Sequence, residues 1–101
     1  MAAILLPLLL ALPLTAQVQR AYTHIASVLE RFGATMDDIA YETFFVTDIS
    51  AVRGGQEKMG AFFGARAEAY GGNPQVSQSL IGVAELAAPD LMIEIKVVAH
   101  V

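Results

Sequence analysis

Apolar residues recur at helical spacing between residues 17 and 32. Neighbouring apolar positions are three or four residues apart, and polar residues fill most of the positions between them. This period predicts an amphipathic helix with Val18, Tyr22, Ile25, Val28, Leu29 and Phe32 at helical spacing. Gly33 follows directly, and a glycine at this place is typical of the position that ends a helix.

A strand and a second helix are predicted next. Residues 39–46 (IAYETFFV) are rich in β-branched and aromatic types, which favours a strand. Because both of its faces carry large apolar groups, we expect a central strand that is covered on two sides. Apolar residues return to helical spacing from Val52 to Phe63. Gly54, Gly55 and Gly60 each weaken that helix by about 1 kcal/mol relative to alanine, so tertiary packing must support it.

Two further strands complete the pattern. The sequence Gly71-Gly72-Asn73-Pro74 predicts a loop, and residues 76–86 and 91–101 predict strands. The link at residues 87–90 is short, so we expect the two strands to form an antiparallel hairpin. In the last strand Met92, Glu94, Lys96, Val98 and His100 share the face opposite the apolar one. The order α-β-α-β-β predicts an α+β fold with two helices on one face of the sheet.

The start of the chain carries a continuous apolar run. Residues 2–14 contain no polar side chain, but the run is too short to span a membrane. Its length suits the apolar region of a signal peptide with a cleavage site at Leu14-Thr15-Ala16, although no basic residue precedes it. A buried strand or helix is the other interpretation. We divide the chain into an apolar segment at 1–15 and a domain at 16–101. We expect a cytoplasmic protein, or a secreted or periplasmic one if residues 1–16 are a signal peptide.

Composition and charge exclude several classes of protein. The chain has 101 residues, of which 55% are hydrophobic and 16% charged, so it suits one compact domain and not a disordered chain. The net charge is −4 and the basic residues are scattered, which disfavours nucleic-acid binding. The absence of cysteine excludes disulfides and thiolate chemistry. His24 and His100 have no carboxylate at ligand spacing, so we expect no metal site.

The acidic residues taken alone allow two interpretations. Glu94 lies on a half-exposed strand, where a glutamate is ordinarily a solvated or paired surface acid. Asp37, Asp38 and Glu42 are candidates for paired carboxylates. An acid pair at the start of a helical turn, stabilised by the helix dipole, is the simpler interpretation.

Four segments in order resemble one known family. They are AQVQRAYTHIASVLERFGATMDDI (16–39), ETFFVTDIS (42–50), GAFFGAR (60–66) and LIGVAELAAPDLMIEIKVVAHV (80–101). With them the chain from Ala16 to Val101 resembles the RidA/YjgF/YER057c family, also called the reactive-intermediate deaminase or L-PSP family. The resemblance implies a chorismate-mutase-like fold, an antiparallel or mixed sheet with two helices on one face. It also implies homotrimers with ligand clefts between subunits, and hydrolysis of enamine or imine intermediates to 2-oxo acids and ammonia.

The chain departs from this family at its N-terminus. Members usually begin with strands before the first helix, and residues 1–15 do not resemble those strands. A truncated chain, a misassigned start and a signal-like segment in place of the strands are the three interpretations. Each implies an N-terminally incomplete version of the fold, with exposed sheet edges and apolar surface.

The second departure concerns substrate binding. The family's deaminases carry an arginine that clamps the substrate carboxylate, and the matching position here is Gln78, followed by Ser79. Glutamine donates a hydrogen bond but supplies no charge, and a charge-assisted bond is about twice as strong. Glu94 matches the family's cleft glutamate, which implies that it positions the hydrolytic water. The resemblance therefore implies Glu94 as the catalytic candidate, with Gln78 and Ser79 as substrate-binding candidates.

Two classes of function follow from the resemblance. One is an enamine or imine hydrolase weakened by the loss of the arginine, and the other is a non-catalytic small-ligand-binding or structural trimeric module. In either class we expect a homotrimer, a small imine, enamine or other small metabolite as ligand, and no cofactor. We expect neither nucleic acid nor membrane as a partner. The endoribonuclease activity suggested for the family does not suit an acidic chain.

Overall fold

The computed structural model describes residues 12–100. It contains α1 (Leu14–Arg31), a 3₁₀ turn (Met36–Asp38), β1 (Ile39–Val46), α2 (Ser50–Arg53), α3 (Gln56–Tyr70), β2 (Ser77–Gly82) and β3 (Ile93–Ala99). The α+β class is confirmed. Residues 1–11 lie outside the described part, and so does most of the apolar run; Val101 of the last predicted strand does also. No helix within residues 12–100 is long and apolar enough to cross a membrane.

The three strands form one mixed sheet in the order β2-β1-β3. Strand β1 pairs in parallel with β2 and antiparallel with β3. The predicted hairpin is therefore wrong, because β2 and β3 run in opposite directions but have β1 between them. Both strands are shorter than expected, and residues 83–92 connect them across the end of β1. Val83 N–H donates to the Val46 carbonyl at 2.8 Å and Thr47 N–H to the Met92 carbonyl at 3.2 Å, which anchors the connection there.

Helices α1 and α3 cover one face of the sheet. The buried core joins Val18 and Tyr22 of α1 and Phe62 of α3 to Phe44 and Val46 of β1. The opposite face, which we call the open face, contains Tyr41, Thr43, Phe45, Ser79, Ile81, Glu94, Lys96 and Val98. The prediction that β1 is central is confirmed. The expectation that both of its faces are covered is wrong for a single chain, because the helices occupy one face only.

The predicted second helix is interrupted at two glycines. A Cβ on Gly54 would lie 2.3 Å from the Ser50 carbonyl oxygen, and Gly55 has a φ of 132°. Residues that bear a side chain rarely adopt that φ. The two glycines therefore end α2 and separate it from α3. Helix α3 then continues to Tyr70 and ends at Gly71 in the left-handed region, a common helix C-terminus.

Candidate functional site

A buried carboxylate lies on the helix-covered face of the sheet. Glu42 of β1 is 1% exposed. The Tyr22 and Tyr70 hydroxyls both donate to its Oε2, at 2.9 and 2.7 Å. Arg66 Nε donates to Oε1 in an ion pair. We call these four residues the Glu42 cluster; it joins α1, α3 and the central strand.

Arg66 also connects the Glu42 cluster to β2. Its Nη2 donates to the Val76 carbonyl at 3.1 Å, just before the strand begins. The guanidinium carbon lies 5.5 Å from the centre of the Tyr70 ring. Arg66 therefore balances the charge of Glu42 and positions the segment that leads to Gln78.

Both tyrosines of the Glu42 cluster are held in the protonated form. Burial raises the pKa of Tyr22 well above its ordinary value, and the nearby charge of Glu42 and the hydrogen bond to it add to this effect. Burial and the hydrogen bond to Glu42 raise the pKa of Tyr70 in the same way, while Arg66 opposes the rise at both residues. Each phenol is therefore a hydrogen-bond donor at neutral pH.

Gln78 lies beside this filled site. It is the register partner of Glu42 on β2, so both side chains are on the helix-covered face. Within residues 12–100, Gln78 Nε2 is a buried side-chain nitrogen without a hydrogen-bond partner. A donor buried without an acceptor is unfavourable by about 1–3 kcal/mol. The carboxylate nearest along the sheet, Glu42, is already bound by three other donors.

The other two candidates lie on the open face. Glu94 is the register partner of Phe45, and Ser79 is the partner of Thr43. Successive residues of a strand alternate between faces, so both side chains point away from the helices, and both are exposed. One chain therefore brings Ser79 and Glu94 to one face but does not bring Gln78 together with Glu94.

Sequence reasoning missed the Glu42 cluster. The available signal was one charged residue in the middle of an apolar strand, because a buried charge needs a partner. The interpretation of the neighbouring acids as a helix-start pair is confirmed. Asp38 Oδ2 accepts from the Thr35 N–H at 2.8 Å, and the Thr35 hydroxyl accepts from the Asp37 N–H at 3.3 Å. Glu42 is not part of that cap.

Gln17 makes a second buried polar connection. Its Nε2 donates to the Leu12 and Asp90 carbonyls at 2.8 and 3.0 Å, and its Oε1 accepts from the Met92 N–H at 2.9 Å. These bonds tie the start of α1 to the segment just before β3. Gln17 therefore contributes to the position at which β3, and with it Glu94, enters the sheet.

Two depressions on the helix side lie away from the predicted residues. A groove of about 570 Å³ between α1 and α3 is lined by Gln19, Tyr22, Thr23, Ala26, Ala65, Glu68 and Ala69. A smaller one of about 330 Å³ lies under the loop at residues 71–76. Gln78, Ser79 and Glu94 line neither of them. Neither of these two depressions therefore forms a cleft that contains the predicted residues.

Known proteins are similar to this chain in sequence and fold. The family model described as Endoribonuclease L-PSP matches residues 8–101. No curated protein matches the chain. A solved structure of a YjgF/YER057c/UK114 family member from Mycobacterium tuberculosis is 31% identical, with a TM-score of 0.75, over 88% of this chain and 69% of that one.

Two further structures extend the comparison. A conserved Rid-family protein of unknown function from Yersinia pestis is 29% identical, with a TM-score of 0.75, over 88% of this chain and 63% of that one. Yeast Mmf1 is 18% identical, with a TM-score of 0.69, over 84% of this chain and 61% of its own, and supports the fold alone. The chain thus spans less than two thirds of these two proteins. From the match over residues 8–101 and the shared chorismate-mutase-like fold, the chain belongs to the endoribonuclease L-PSP family, also named YjgF/YER057c/UK114.

Proposed function

We propose that the protein is a RidA-type hydrolase of small enamines and imines, with weakened action on substrates that carry a carboxylate. The observation that supports it is the exposed position of Glu94 on the open face. A carboxylate there is free to accept a proton from water, which is the role of a general base. Ser79 lies on the same face and supplies a hydroxyl for substrate binding.

The weakened hydrolysis of substrates that carry a carboxylate follows from the charges around Gln78. The cation closest to it along the fold, Arg66, is paired with Glu42. Gln78 itself offers a neutral amide where the family's deaminases carry an arginine. A hydrogen bond to a charged group contributes about 1.5–3 kcal/mol, so its loss lowers carboxylate affinity about tenfold or more.

Assembly is part of the proposed function. Gln78 and Glu94 lie on opposite faces of one sheet, so a shared cleft needs residues from two copies. The open face provides exposed apolar surface for that contact, at Tyr41, Ile81 and Val98. We propose a homotrimer with its ligand clefts between subunits.

A non-catalytic small-ligand-binding or structural trimeric module is the second candidate. It is favoured by Gln78 Nε2, because this donor nitrogen is buried in the described chain. Cleavage of RNA, which the family description suggests, is not proposed. A net charge of −4 offers little attraction to a phosphate backbone.

Ammonia release tests the hydrolase proposal. A pyridoxal-phosphate enzyme generates 2-iminobutyrate or iminopropionate, and the rate is compared for the protein, Glu94→Ala and Gln78→Arg. We expect slow hydrolysis, a loss of about a hundredfold in the accelerated rate for Glu94→Ala, and tighter carboxylate binding for Gln78→Arg. Gln75→Arg is the matched control, because it makes the same chemical change at an exposed loop position just before β2, outside both sheet faces.

Three outcomes separate the candidates. A rate equal to that of an arginine-containing relative contradicts the weakened action. Saturable ligand binding without any hydrolysis supports the binding module. If Glu94→Ala changes nothing and Gln78→Arg binds no better than Gln75→Arg, neither candidate function uses this site.

A further inference from the structure

We infer that Tyr22, Arg66 and Tyr70 form a carboxylate-binding cradle that this chain fills with its own Glu42. The Glu42 carboxylate thus occupies the place that a ligand carboxylate would take beside Gln78. The cradle itself does not depend on the proposed hydrolase function. Only the statement about the substrate class rests on that function.

The hydrogen bonds of Glu42 define the cradle. Two phenol hydroxyls donate to one carboxylate oxygen and a guanidinium donates to the other. Charge-assisted bonds of this kind are the ones that proteins use to recognise carboxylates. The side chain of Glu42 has no exposed surface, so the carboxylate is enclosed as a tightly bound ligand would be.

The donors and the acceptor come from different layers of the fold. Tyr22 belongs to α1, and Arg66 and Tyr70 lie one turn apart on the same side of α3. Only Glu42 comes from the sheet. Removing its carboxylate would therefore leave the three donors in place on the helices.

Gln78 shows why the filled cradle matters for ligands. Its Nε2 lies next to Glu42 in the sheet register and has no acceptor. A second carboxylate at this place would meet the charge of Glu42, while the neighbouring cation is already neutralised. The substrate class that suits this position is therefore an imine or enamine that is uncharged where it meets β2.

Rescue of Glu42→Ala by acetate tests the cradle. Acetate matches the CH₂ and carboxylate group that this substitution removes. Thermal unfolding of the variant is followed in sodium acetate, in sodium chloride and in acetamide at equal concentrations. We expect a saturable rise in the melting temperature of about 5 °C or more in acetate only, because a ligand that binds the folded state stabilises it.

Glu42→Gln is the matched control. Its amide fills the space of the carboxylate without the charge, so it should respond equally to acetate and chloride, as should the unsubstituted protein. If Glu42→Ala is unfolded in chloride, folding in acetate supports the inference. A variant that is unfolded in both salts, or folded without a difference between them, overturns it. The measurement does not involve hydrolysis, so its outcome is separate from that of the proposed function.

Discussion

At Glu42, one carboxylate connects two helices to the central strand. A buried ion pair adds little net stability over an apolar packing, but removal of one partner leaves the other charge uncompensated. We expect Glu42→Gln to lower the free energy of unfolding by about 3 kcal/mol. This is the low end of the range for a broken buried pair, because the Arg66 side chain keeps 12% of its surface exposed. Urea denaturation measures the loss.

The exposed acid Glu30 of α1 is the control for that prediction. Glu30→Gln makes the same chemical change at an exposed helix position outside the open face, where substitutions usually alter stability by less than about 0.5 kcal/mol. Equal effects of the two substitutions would contradict the structural role of the Glu42 cluster.

We expect the protein to lose stability at alkaline pH because of the two tyrosines of the Glu42 cluster. Their pKa values are raised in the folded state, so above the ordinary value of 10.0 the unfolded chain binds fewer protons than the folded one. Stability is therefore fully present below that pH and falls as the pH rises above it, by about 1.4 kcal/mol per pH unit for each tyrosine.

Tyr22→Phe isolates one of the two contributions. Denaturation series between about pH 9 and 11.5 should give a smaller slope for this variant, by about one proton. An unchanged slope in Tyr22→Phe would show that the Tyr22 hydroxyl does not titrate as a buried group.

Among the elements, Gly60 inside α3 and Gly55 just before α3 have opposite expected effects. Gly60 lies inside the helix, and a Cβ there would meet no atom within 4 Å. Gly60→Ala should raise the free energy of unfolding by about 0.5–1 kcal/mol, since alanine favours the helix and restricts the unfolded chain. Gly55→Ala should lower it by about 1–3 kcal/mol, because a φ of 132° is strained for a side-chain-bearing residue. Thermal unfolding of both variants gives the comparison, and a stabilising Gly55→Ala would contradict the break between α2 and α3.

The elements also show what the sequence could predict. Helix α1 and strand β1 were predictable because their periodicity is local, and the buried Val18, Tyr22 and Phe44 confirm both elements. Two apolar positions of the helix pattern, Val28 and Phe32, are exposed. The hairpin prediction failed because strand pairing depends on distant residues: β1 takes the place between β2 and β3. The hydrogen-bond donors of Glu42 could not be predicted for the same reason, since they lie 20 to 28 positions from Glu42 along the chain. A strand pattern alone placed Glu94 on the face opposite the core, which the pairing with Phe45 confirms.

At the scale of the whole molecule, the open face is the side of the sheet that the helices do not cover. Ile81 is 43% exposed, Val98 is 37% exposed, and Tyr41, the register partner of Val98, is 51% exposed. Exposed apolar residues grouped on one face of a sheet are typical of an interaction surface. The face also carries Glu94, so the proposed assembly and the proposed chemistry depend on the same surface.

Charge placed on the open face should prevent self-association. We expect Ile81→Glu to shift the protein from trimers towards monomers, because burial of an unpaired charge in a contact between copies is unfavourable by several kcal/mol. Met59→Glu makes the same change on α3 at the same exposure of 43%, and should leave the assembly unaltered. Sedimentation or light scattering over a concentration series measures the distribution.

A monodisperse monomer of the unsubstituted chain would contradict assembly through this face, and so would trimers that survive Ile81→Glu. If Ile81→Glu lowers both trimer content and ammonia release while Met59→Glu lowers neither, the cleft lies between copies.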